Sequence, residues 1–167
     1  MFFTKVDEKD YGKVRAAKWQ ADRLHGYAKK LTAQMASLFA LSHIEEEWGT
    51  SFAVEGDGMS ALLKTPFGKA RIVVVIGCAE FTSIGATYIF EKLVSTKAGR
   101  PMYKAVWAVR IDDSGIVWTL DTAAQLFKIN AISKSEIENG VAEIALSAIY
   151  SIANDPGYFF ASEVAST

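Results

Sequence analysis

Apolar or small residues recur at Val14, Ala17, Ala21, Leu24, Ala28, Leu31, Met35 and Leu38, separated alternately by three and four positions. That spacing keeps them on one helical face. In heptad terms Val14, Ala21, Ala28 and Met35 share one position, and Ala17, Leu24, Leu31 and Leu38 share the other. The acids Asp7, Glu8 and Asp10 stand where they meet the positive end of a helix dipole, and no proline interrupts the stretch. The pattern predicts helix over residues 7–41. Ser42 and Glu45 have the spacing of a capping box, and Glu45, Glu46 and Glu47 suit the start of a new helix better than the end of an old one. A break is therefore expected near Ser42, with the helical region closing at residue 48.

From Ser51 the period changes to two. "SFAVEGDG" and "MSALLKTPFG" read as short strands joined by a glycine turn, "KARIVVVIGCAE" as a central strand apolar on both faces, and "ATYIFEKLVS" as its neighbour. After the turn "TKAGRP", the stretch "MYKAVWAVRID" alternates cleanly. Tyr103, Ala105, Trp107, Val109 and Ile111 are expected on one face, Lys104 and Arg110 on the other. "IVWTL" is the last strand expected, and "DTAAQLFKI" could form a short helix. Ser133 with Glu136 makes a second capping box ahead of the stripe Ile137, Val141, Ile144, Ala148 and Ile152, and "NDPG" ends that helix. The expected fold is α+β: one domain over residues 1–167, helical over 7–48, a meander sheet of five or six antiparallel strands over 51–121, and a C-terminal helix over 134–154. The long N-terminal helix and the C-terminal helix would cover the sheet.

The stretch "RIVVVIGCAEFTSIGA", residues 71–86, raises the question of a phosphate-binding loop. Such a loop needs clustered glycines between a strand and a helix N-terminus. Gly77 and Gly85 are eight residues apart, no P-loop lysine follows, and what comes next is strand-like. A hairpin is the better expectation.

Composition narrows the function classes further. The 167 residues carry a net charge of −1, so no overall field draws nucleic acid or an anionic membrane. The longest apolar run is too short to span a bilayer, and the start lacks the pattern of a secretory signal. With a single cysteine, Cys78, nothing calls for an oxidising compartment, and a cytoplasmic protein is the default expectation. Cys78 follows an apolar strand, which favours core packing over nucleophilic chemistry. His25 and His43 lack metal-site spacing, so no metal or cofactor is expected. The carboxylates Glu55, Asp57, Asp112 and Asp113 sit in turn sequences; Glu91 precedes Lys92, which puts the two on opposite faces, and Glu80 lies in the hairpin. No G-x-S-x-G surrounds Ser83 or Ser114.

What remains is binding. Lys13, Arg15, Lys18, Arg23, Lys29 and Lys30 face one acid, Asp22, along the first helix, with Trp19 and Tyr27 among them. The expectation is a non-catalytic, cytoplasmic protein-binding module of the inhibitor, immunity or adaptor type found in bacteria or phage. Trp19, Arg23, Tyr27 and Lys30 are the candidate interface, and the heptad seam could also pair two copies. One alternative is a small-molecule or nucleotide-binding domain, enzymatic or not, with a pocket between sheet and first helix lined by Tyr103, Trp107, Arg110 and Lys104. Another is a nucleic-acid binder using the basic helix.

Overall fold

In the computed structural model the change of period at Ser51 marks the passage from helix to sheet, as expected. The structure describes residues 8, 11–79, 83–95 and 99–157. The elements are α1 (Tyr11–Phe39), α2 (Ser42–Trp48), β1 (Ser51–Val54), β2 (Ala61–Thr65), β3 (Gly68–Ala79), β4 (Ser83–Ser95), β5 (Pro101–Asp112), β6 (Ile116–Thr119), β7 (Gln125–Lys128) and α3 (Lys134–Asn154). The strands form one antiparallel, curled sheet in the order β1-β2-β3-β4-β5-β6-β7. Every neighbour in the sheet is a neighbour in sequence, so short turns suffice to build it.

The sheet has seven strands rather than five or six, and it ends at Lys128 rather than near residue 121. The extra strand is β7, from the stretch that could have been a short helix. Gln125, Phe127 and Lys128 pair with β6, and Phe127 and the following Ile129 are buried. The break after α1 falls as expected, but Ser42 is not its cap. Leu41 occupies the N-cap position and no side chain caps α2. Ser133 does cap α3, its hydroxyl accepting from the Glu136 amide at 3.3 Å.

Residues 71–79 and 83–86 lie in two antiparallel strands with Gly77 opposite Gly85 and Ala79 opposite Ser83. The tip, Glu80 included, lies outside the described residues, as does the side chain of Cys78.

Alternation on β4 decides which face meets the helices. Ala86, Tyr88, Phe90, Lys92 and Val94 are buried toward them. The Tyr88 hydroxyl meets Thr32 Oγ1 of α1 at 2.9 Å, and burial pushes the phenol well above its usual range. From α1 come Leu24, Ala28, Leu31 and Met35, all fully buried; from α3 come Ile144, Ala145, Ala148 and Ile152. The inner half of the heptad seam is thus spent on the protein's own sheet. A β-carbon on Gly140 would stand 2.2 Å from Phe127 Cδ1, so α3 sits directly on β7 where only glycine fits.

Lys92 is the charged member of this inner face. It is 6% exposed, and its ammonium donates to the carbonyls of Ile152 at 2.7 Å and Asp155 at 2.8 Å. A cation here meets the negative end of the α3 dipole and satisfies carbonyls the helix cannot. Lys104 adds an ion pair to Asp155 at 3.2 Å. Glu91 points to the opposite face, as its position next to Lys92 requires, and accepts from Arg71 Nε at 2.6 Å.

Candidate docking groove

The residues expected to line a pocket between sheet and first helix do not come together. β5 carries an irregularity: Phe90 is opposite Trp107, but Glu91 is opposite Ala105, which leaves Val106 as an extra residue. One inserted residue reverses the phase of a strand. Trp107 therefore packs inward on Phe90, with ring centres 5.6 Å apart, and Tyr103 lies outward under the Arg71 guanidinium at 3.9 Å. Lys104 faces α3. Arg110 lies over Gly85, whose absent β-carbon would be 2.6 Å from the guanidinium. The space between α1 and the sheet is filled by core side chains.

Of the candidate interface residues, three dock α1 onto its own domain. Arg23 donates to the Asp113 carbonyl at 3.4 Å and Lys30 to Asn130 Oδ1 at 2.6 Å. The Tyr27 ring lies against Gly115, which has φ of 78° and would bring a β-carbon to 2.9 Å of the ring. Trp19 is different: 71% of it is exposed, with the Lys18 ammonium 5.6 Å from its ring centre. Lys18 also pairs with Asp22 at 2.7 Å, and that bond holds the Asp22 carboxyl below the usual carboxylate range.

The concave site lies elsewhere. α1 and α3 pack side by side, and between the C-terminal half of α1 and the N-terminal half of α3 a groove of about 670 Å³ opens to solvent. Leu38 and Leu41 form one wall, Ile137 and Val141 the other. Gln34 and Ser37 add polar groups, and Lys134 and Glu138 form the rim, paired to each other at 3.4 Å. Leu41 is 45% exposed, and Gln34 Oε1 is buried without a hydrogen-bond partner among the described residues. A buried acceptor left unpaired costs about 1–3 kcal/mol.

Among the described residues no group of three or more His, Cys, Asp or Glu side chains could hold a metal ion. Two of the turn carboxylates are engaged in their turns: Asp57 accepts from the Met59 and Ser60 amides at 2.9 and 2.8 Å, and Asp112 accepts from the Ser114 and Ile116 amides and from Trp118 Nε1. The donors from Ser60 hold the Asp57 carboxyl below its ordinary range. No helix of the described residues is long and apolar enough to cross a membrane.

Comparisons with protein-family models, with curated proteins and with solved structures find no match to this chain.

Proposed function

We propose that this protein is a non-catalytic, cytoplasmic docking module of the inhibitor, immunity or adaptor type, and that its α1–α3 groove receives an apolar helical segment of a protein partner. The observation that carries the reading is the groove itself: an open trough walled by Leu38, Leu41, Ile137 and Val141 between two helices. Two helices side by side leave a trough that a third helix fills through residues at i, i+3, i+4 and i+7. The exposed wall supports this reading, since Leu41 keeps 45% of its surface open. The basic residues of α1 support a nucleic-acid reading less well, because Lys18, Arg23 and Lys30 make bonds within the chain.

The test is native mass spectrometry of the protein gently purified from its source cells, as wild type and as Leu41→Glu. The expected result is a stoichiometric added protein mass in the wild type that the variant loses. A complex that survives Leu41→Glu unchanged would overturn the reading. A second reading, a small apolar ligand in the same groove, is favoured by a volume within the usual range for such sites. It would show as a small retained mass instead.

A further inference from the structure

Both walls of the groove share one geometry. Gln34, Ser37, Leu38 and Leu41 on one side, and Lys134, Ile137, Glu138 and Val141 on the other, each follow the spacing i, i+3, i+4, i+7. That spacing is one helical face over two turns, a length of roughly 10 Å. A matching occupant is therefore short, about three turns of helix, and sets an apolar stripe on Leu38, Leu41, Ile137 and Val141.

The charge around these walls is one-sided. The segments that build them, residues 31–48 and 134–154, hold six glutamates and one lysine, a net charge of −5. The rest of the chain carries +4. Glu45, Glu46 and Glu47 follow Leu41 on α2, Glu136 and Glu138 flank Ile137, and Glu143 lies two residues past Val141. All six are exposed. The one lysine, Lys134, is paired with Glu138 at 3.4 Å. Exposed carboxylates act over about a Debye length, roughly 8 Å at physiological salt, so those beside an open trough attract a cationic occupant and repel an anionic one.

We infer that the segment received by the groove is a basic amphipathic helix, with lysine or arginine on both sides of its apolar stripe. The inference rests on reading the groove as a protein-docking surface. The stripe fills the trough. The flanking cations reach the α2 glutamates beside the α1 wall and the α3 glutamates beside the other. An acidic helix with the same stripe would match the walls and be rejected by the rim. Charge complementarity of this kind sets which partner is accepted more than how tightly it is held.

Fluorescence anisotropy of the full chain with three labelled peptides, each about four helical turns long, tests this. The first has leucine at i, i+3, i+4 and i+7 with lysine elsewhere. The second keeps the leucines and carries glutamate for lysine. The third has the composition of the first, shuffled to break the stripe. The first should bind one per chain, at least about tenfold tighter than either other, and more weakly at high salt. Replacing Glu45, Glu46, Glu47 and Glu138 by glutamine should weaken it about tenfold, the sum of several exposed charge pairs. Leu41→Ser, which removes apolar wall without adding a charge, should weaken it by about as much. Far-ultraviolet circular dichroism on each variant separates loss of binding from loss of the fold. Failure of the first peptide to bind overturns the inference, including where the chain instead forms a Leu41-dependent dimer or retains a small apolar ligand. Equal binding of the second or third peptide overturns it too, as does an affinity that the glutamine variant leaves unchanged. The docking reading survives any of these if the native mass spectrum still shows a protein partner that Leu41→Glu removes. A complex that ignores Leu41→Glu sinks the docking reading whichever peptide binds.

Discussion

The two faces of α1 are built from the same heptad arithmetic and come out opposite. Inward, Leu24, Ala28, Leu31 and Met35 have no exposed surface and bind the helix to β3, β4 and β5. Outward, Trp19, Gly26 and Ala33 stay exposed, and just past the helix end Leu41 lines a groove that the described residues leave open. Burial against the sheet is sufficient reason for the inner face. A tryptophan left 71% exposed on a helix has no such reason in the fold. The difference teaches that regular spacing marks a contact surface without saying whose surface it meets. The inner face is an account of stability, and the outer face is where the proposed docking is to be tested.

That division can be broken from the inside first. Leu31→Ala should cost about 2–5 kcal/mol, the loss of a fully buried side chain plus the cavity left behind, read by urea unfolding. Lys92→Met tests the polar part of the same inner layer. It leaves the Ile152 and Asp155 carbonyls without their donor and should cost about 2–3 kcal/mol, with the loss concentrated in amide exchange at the end of α3. Gly140→Ala forces a methyl into the Phe127 ring and should cost about 1–3 kcal/mol. The outer face should answer differently: Leu41→Glu should change unfolding free energy by no more than about 0.5 kcal/mol while abolishing docking. An outer-face variant that unfolds the protein would erase the distinction.

The smallest effect concerns the β1–β2 turn, far from both faces in chemistry. Asp57 has its carboxyl held below the ordinary range, so its stabilisation is present above that range and is lost as pH falls through the lowered value. Asp57→Asn should therefore be less stable than wild type at neutral pH, and the gap should close in acid. A gap independent of pH would show that the carboxylate charge is irrelevant to the turn.

How much of this could be read from the chain depends on whether one segment or two carry the feature. α3 was legible to the residue because Ser133 caps it, its apolar stripe is regular, and "NDPG" stops it. β3 and β4 were legible because a β-branched run followed by aromatic residues fits no helix. β7 was not, since Gln125–Lys128 offers only two apolar residues and no clear period. The phase reversal on β5 was hidden because both sides of Val106 alternate plausibly, and only the partner strand reveals the extra residue. Of the four candidate interface residues Trp19 is exposed, whereas Arg23, Tyr27 and Lys30 contact their own domain. The groove was invisible for a stronger reason. Its walls come from residues 34–41 and 134–141, each an ordinary piece of amphipathic helix until the fold sets them together.

The measurement closest to the central claim is the paired native mass spectrum of wild type and Leu41→Glu from the same cells. The account predicts a protein complex in the first and a folded, unaccompanied chain in the second. An undiminished complex with Leu41→Glu would contradict it and move the binding surface off the helix pair.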